Sequence, residues 1–158
     1  MPEVTVRAVA AQLTADEAYQ RISQFERYPE LTAAVEEVVI QPAGGDGWVY
    51  SEWTVHFRNG LLRWSERDAL DPEQRKITFE QVTGDFAEFS GTWLVEPTPA
   101  GTVVTFSATF DLGIPTLAPI LDPVAESALR NNIRLILAGL LGSETEIGAA
   151  TEPARGLA

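Results

Sequence analysis

Cysteine is absent from this 158-residue chain, and histidine and methionine occur once each. Without thiols there is no disulfide framework and no thiolate metal site. One histidine, His56, cannot build a His-rich zinc or iron centre. A Ser-His-Asp triad would have to use it, and no G-x-S-x-G elbow is present. Basic residues are also scarce: 11 Lys and Arg stand against 23 Asp and Glu, a formal net charge of -12. That charge repels nucleic acid and anionic lipid, and no Lys/Arg cluster offsets it, so no nucleic-acid partner is expected. No apolar run approaches the roughly 20 residues needed to span a bilayer, so no membrane insertion is expected. The opening MPEVTVRAVA lacks the basic-then-apolar order of a signal peptide, which leaves the cytoplasm as the default location. No redox-cofactor signature occurs, and no cofactor is expected. Gly44-Gly45-Asp46-Gly47 lies between two strands and opens no helix, so it reads as a hairpin turn and not as a phosphate cradle.

What is present is the composition of one folded domain, 45% hydrophobic and 22% charged. Val4, Val6 and Ala8 alternate with Thr5, Arg7 and Val9, which predicts a first strand. Thr14 and Glu17 have capping-box spacing, and Ala18, Tyr19, Ile22 and Phe25 follow at helical spacing. Tyr28-Pro29 interrupts that helix, with room for a second short one through Glu30-Leu31. Six strands are then expected: Val35–Ile40, Trp48–Arg58, Leu61–Leu70, Lys76–Val82, Phe86–Val95 and Thr102–Asp111. Asn59-Gly60 is the strongest hairpin signal among their connections. Sequential strands with short connections require an antiparallel sheet. Asp122-Pro123 reads as the start of a long helix, with Leu121, Ala125, Ala128, Asn132, Leu135, Ile136 and Gly139 on one face and Gly142 as its C-terminal cap. The expected architecture is therefore α+β: one domain over residues 1–147, with a curved seven-stranded antiparallel sheet around the last helix. Residues 148–158 read as a disordered tail.

Chemistry-bearing residues concentrate on the strands. Trp48, Trp53, Trp64 and Trp93 fall on different strands, with Phe79, Phe86, Phe89, Phe106 and Phe110 nearby. Most of the phenylalanines read as core. Four indoles that each need an N–H partner suit a cavity for a flat or oily ligand better than a dry core. In Leu61–Arg67, alternation puts Trp64 and Glu66 on one face and Arg63, Ser65 and Arg67 on the other. If the second face is inward, Arg67 offers a guanidinium to a carbonyl or a developing enolate. If it is outward, Glu66 becomes the polar candidate. Asn132 interrupts the apolar stripe of the last helix, and Tyr28 and Thr32 stand where they could close a cavity mouth. Glu66, Glu80 and His56 are the candidate bases.

The order of elements, together with FERYPEL at 25–31, WSER at 64–67, ITFEQVTGDF at 77–86 and SGTW at 90–93, resembles the polyketide cyclase/dehydrase group of the START-like, helix-grip superfamily. The resemblance covers roughly residues 3–141 and is nearest to the single-domain aromatase/cyclases. It implies a helix-grip fold and a cavity in which a poly-β-ketone chain, free or tethered to an acyl carrier protein, closes a ring by aldol chemistry and loses water. It also implies that Arg67 with Ser65 holds a substrate oxygen, and that Asn132, Tyr28 and Trp93 take the family's polar and aromatic positions. Trp53, Trp64, Glu80, Phe106 and Thr32 complete the expected substrate contacts, and Glu66 joins the catalytic set. A homodimer is compatible with the resemblance. Three departures are visible. Ala34 and Val35 replace an acid and a tyrosine, Ala108 replaces a glutamine, and Trp64 alone remains of a Trp-x-Trp-x-Ser-x-Arg run. Aligning on that run places Glu66, and not Arg67, in the pocket. The same scaffold serves as a carrier for quinones and lipids, which is the alternative reading. An acidic carrier protein would need a local basic patch, and Arg130 with Arg134 is the available pair.

Overall fold

The computed structural model describes residues 2–41, 47–57, 60–113, 118–142 and 144–149. The elements run β1 (Glu3–Ala10), α1 (Ala15–Ser23), a 3-10 turn (Phe25–Arg27), α2 (Tyr28–Leu31), β2 (Val35–Gln41), β3 (Val49–Phe57), β4 (Gly60–Asp71), β5 (Lys76–Gly84), β6 (Glu88–Thr98), β7 (Gly101–Asp111), α3 (Ala118–Leu141) and β8 (Glu146–Ala149). The strands form one antiparallel sheet in the order β2-β3-β4-β5-β6-β7-β1-β8. Helix α3 packs its apolar side against the inner face of this sheet, and one hydrophobic core joins the two. This is the helix-grip, START-like arrangement. No described helix is long and apolar enough to cross a membrane.

Local signals explain most of the element order. The Thr14 hydroxyl accepts from the Glu17 amide at 3.1 Å, and the Glu17 carboxylate accepts from the Thr14 amide at 2.9 Å. That capping box fixes the start of α1, whose Ala15, Ala18, Tyr19 and Ile22 are buried. The chain then turns through the 3-10 segment into α2, with Pro29 in its first turn. The Tyr28 hydroxyl donates to the Ile22 carbonyl at 2.6 Å and ties the turn back to α1. In β1, Val4, Val6, Ala8 and Ala10 face the core, as the alternation required.

Four expectations need correction or a limit. The sheet has eight strands and not seven, because Glu146–Ala149 pairs with β1 and covers an edge that would otherwise present unpaired amides. Gly148 and Ala149 therefore belong to the sheet, and the rest of the expected tail lies outside the described residues. Helix α3 begins at Ala118, four residues before the Asp122-Pro123 signal, and carries Pro123 inside it. A proline there forgoes one N–H and leaves the Pro119 carbonyl without its usual partner, a loss confined to the first turns of a long helix. The buried stripe of α3 is Ala125, Leu129, Ile133, Ile136, Leu137 and Leu140, rotated from the expected one, and Leu135 is 51% exposed. Asn59 and residues 42–46 lie outside the described residues, and Gly60, expected in the turn, is the first residue of β4 and pairs with Phe57.

Helix α3 closes on α2 at Gly139, where a methyl group would overlap the Leu31 carbonyl oxygen and press on Thr32. Gly139→Ala is expected to lower stability by about 1–3 kcal/mol in urea unfolding, the usual cost of forcing atoms into a packed contact. An unchanged midpoint would contradict this close approach.

Candidate functional site

Strand β4 sets the chemistry. Trp64, Glu66 and Asp68 follow one another at every second residue, so all three face inward, while Arg63, Ser65 and Arg67 face the opposite side. Across β3, Trp53 is paired with Trp64, and their rings stack with centroids 6.0 Å apart and planes within 2°. Across β5, Trp64 is paired with Gly84, where any Cβ would overlap the Trp64 side chain. The β4–β5 ladder shifts register at Ser65/Glu66, so that Val82 is the extra residue on β5. Such bulges kink the sheet and are frequent beside functional sites.

The inward faces enclose a cavity of about 60 Å³. Its walls are aromatic: Tyr28 of α2, the indoles of Trp53, Trp64 and Trp93, and the rings of Phe79, Phe86, Phe89 and Phe106. Val55 and the α3 residues Leu129, Ile133 and Ile136 complete the apolar lining, and Glu66 and Asn132 supply its polar side chains. The rings brace one another edge to face, with Trp53 against Phe25 and Tyr28, Trp64 against Phe86 and Phe89, and Trp93 against Tyr28 and Phe106. The space suits a few waters or a small group. A substrate-sized ligand of several hundred Å³ would have to part the rings.

A buried acid pair stands at the wall. Glu66 is 4% exposed and Asp68 is 0% exposed. The Trp64 indole N–H donates to Glu66 Oε1 at 2.7 Å. The Ser51 hydroxyl donates to Asp68 Oδ2 at 2.8 Å and accepts from the Trp53 indole N–H, also at 2.8 Å. Asp68 Oδ1, however, has no donor among the described groups, so it needs one. The next carboxyl is Glu66, two residues along the same inward face of β4, and the two groups influence one another as a pair. Burial first, and then the hydrogen bond and charge of Asp68, push the Glu66 carboxyl well above the usual carboxylate range, against a smaller downward pull from the Trp64 N–H. Burial also raises Asp68, while donation from Glu66 and Ser51 lowers it. Both carboxyls are raised, and Glu66 is the one more strongly favoured in its protonated form. Burial, Glu66 and Asp68 together raise the Tyr28 phenol well above its usual value, so it remains a neutral donor to Ile22.

The expected site residues divide sharply. Glu66, Asn132, Tyr28, Trp53, Trp64, Trp93 and Phe106 come together around the cavity. Arg67 does not: its side chain is 39% exposed on the outer face, bonded through Nε to Glu80 at 2.7 Å and lying 4.3 Å over the Trp48 ring. Glu80 is therefore also outside, and Ser65 bonds Thr83 at 2.9 Å on the same outer face. An arginine–serine pair inside the cavity is excluded by the pleat of β4. Thr32 is buried but turned into the turn after α2, where its hydroxyl accepts from the Ala34 amide at 3.2 Å. His56 lies outside with its ring 2.8 Å from Glu36, and its carbonyl accepts from the Asn132 side chain. Arg130 is matched by Glu126 at 3.0 Å. Ser51 and Asp68 were not anticipated. The signal for Asp68 was available, since it continues the same two-residue period as Trp64 and Glu66. Among the described residues no group of three or more ligating side chains could hold a metal ion.

An antiparallel sheet gripping a C-terminal helix over an aromatic cavity defines the helix-grip class. Within it, the chain belongs to the family described as polyketide cyclase/dehydrase and lipid transport, which matches residues 12–135. Among solved structures it is similar to TTHA0849 of Thermus thermophilus, at 26% identity over 88% of this chain and 94% of that one, with a TM-score of 0.78. The Zhui aromatase/cyclase of Streptomyces sp. R1128 shares the fold at 22% identity over 90% and 92% of the two chains, TM-score 0.70. A START superfamily protein of Mycobacterium smegmatis does so at 19% identity over 88% and 96%, TM-score 0.72. No curated protein matches the chain.

The protonated Glu66 has a consequence for stability. In the unfolded chain this carboxyl ionises in the ordinary range, whereas the fold holds its proton to higher pH. Between those two values the native state binds more protons than the unfolded one, so stability falls as pH rises. Glu66→Gln, which keeps an N–H for Asp68, should remove this loss and be at least as stable as wild type near neutral pH. Urea unfolding across pH reads it, and a variant that is less stable and equally pH-dependent would contradict a protonated Glu66.

Proposed function

We propose that the chain is a cyclase/dehydratase acting on an apolar, ketone-bearing acyl compound, with Glu66 as its acid–base residue. The observation that carries this reading is a buried carboxyl, Glu66, at the wall of a largely aromatic cavity, with Asp68 next to it on the same face of β4. A carrier site needs only the apolar wall. A carboxyl that burial raises well above its ordinary range in such a place is suited to proton transfer.

The cycle needs one proton moved twice. With the resting proton passed to Asp68, the Glu66 carboxylate takes the proton α to the substrate ketone, and an enolate forms. The same proton then goes to the β-hydroxyl, which leaves as water as the carbon–carbon double bond forms. The pair ends with the single proton it started with. Run on a second carbonyl in place of the hydroxyl, the enolate adds to that carbon and Glu66 protonates the new alkoxide, which is the ring-closing aldol step. Aromatic walls hold the chain folded and exclude water. Asn132, at the cavity wall on α3, can fix a carbonyl oxygen by exchanging its hydrogen bond to His56. Arg67 has no part in this chemistry, since it sits on the other side of the sheet.

The first half of the cycle can be tested without the natural substrate. The protein should accelerate exchange of the α-protons of 2-acetylnaphthalene in heavy water. Glu66→Gln should lose about 10²–10⁴ of that acceleration, the usual contribution of a positioned acid–base group, while Arg67→Ala stays within about twofold of wild type. Equal exchange by wild type and Glu66→Gln would favour the carrier reading, for which the apolar wall and the lipid-transport branch of the family already speak.

A further inference from the structure

We propose that the cavity is an anion-excluding site, which takes uncharged carbonyl compounds such as ketones and esters and rejects the corresponding free carboxylates. The inference rests on the cavity and the acid pair of the proposed function, and it adds the charge state of the substrate.

The wall contains no Lys, Arg or His side chain among its described lining residues. The nearest strand arginines, Arg63 and Arg67, point to the opposite face, and Arg67 is already paired with Glu80. The indole and phenol donors at the cavity are committed within the protein, Trp53 to Ser51, Trp64 to Glu66 and Tyr28 to Ile22, which leaves the neutral amide of Asn132 as the donor for a substrate oxygen. Asp68, held by the Ser51 hydroxyl and fully buried, follows Glu66 on the same inward face of β4, so the negative charge of this acid pair lies on the cavity side of the sheet. A carboxylate ligand would place a second buried charge beside the acid pair with no cation among the described lining residues to match it, and its desolvation would go uncompensated.

A neutral substrate avoids that cost throughout the proposed cycle. When Glu66 takes the α-proton, the acid pair becomes neutral and the charge moves to the enolate, so the cavity holds one negative charge before and after. It is built for one and not for two. The reaction that supplies this protein must therefore deliver its acyl group masked, as a thioester, ester or ketone. A hydrolysis that frees the acid must come after it.

The test compares three probes of one shape: 2-acetylnaphthalene, methyl 2-naphthoate and 2-naphthoate, titrated near neutral pH with the indole N–H resonances of Trp53 and Trp64 observed by NMR. The ketone and the ester should shift both resonances and bind at least about tenfold more tightly than the carboxylate, a conservative share of the desolvation cost. In the Glu66→Gln/Asp68→Asn double variant the ratio should shrink to within about threefold. The wild-type comparison stands even if that variant does not fold. Carboxylate binding equal to or tighter than ketone binding at those resonances would overturn the proposal, as would failure of both neutral probes to shift them. Charge selection without α-proton exchange would instead remove the catalytic reading and leave the filter in place.

Discussion

Two carboxyl groups side by side in an aromatic wall cannot both be ionised without a counter-charge, and none is present among the cavity's described lining residues. One shared proton resolves this, and much of the surrounding arrangement follows from placing it. Trp64 donates to Glu66, and Ser51 donates to Asp68. Trp53 in turn donates to Ser51, so two stacked indoles hold both ends of the pair. The apolar packing and the polar network are therefore one structure. The rings that shape the cavity also supply the donors that orient its only carboxyl pair.

The fold supplies this geometry with few special devices. An antiparallel sheet of consecutive strands sets Trp53 opposite Trp64 in register, and a glycine at position 84 leaves the second indole room to stand. Helix α3 closes the open side with a stripe of leucine and isoleucine, approaching α2 at a glycine. The helix is thus both the lid of the core and one wall of the cavity. Where the resemblance implies an arginine in the cavity, the structure presents Glu66 at its wall and turns Arg67 to the outer face. A cationic pocket stabilises charge as it develops, whereas an acid pair shuttles a proton and conserves the charge already there.

Much of this was legible in the residues. Strand alternation, the capping box at Thr14 and the hairpin signals specify an antiparallel sheet and its helices because each is a local rule about backbone hydrogen bonds. Alternation also tells that Trp64 and Glu66 share a face. It does not tell which face is inward, since that depends on how the whole sheet curves around α3, and so the residues left Arg67 and Glu66 as alternatives while the resemblance favoured Arg67 with Ser65. Asp68 was hidden by its type, as a carboxylate on a strand ordinarily reads as a surface group. Ser51 gives no signal at all, because its role exists only once β3 lies against β4. Strand β8 is four residues long, too short for a period to show, and the proline at 123 marks a helix start only when the preceding turn is not already helical.

The account stands on the proton held by Glu66. Carbon-13 labelling of the glutamate side-chain carboxyls, with Glu66→Gln to assign the resonance, reads that proton directly. The resonance lost in the variant should keep the shift of a protonated carboxyl well above the ordinary titration range, while the exposed glutamates titrate normally. If the Glu66 resonance titrates with the exposed ones, the acid pair is two ordinary carboxylates and the account fails.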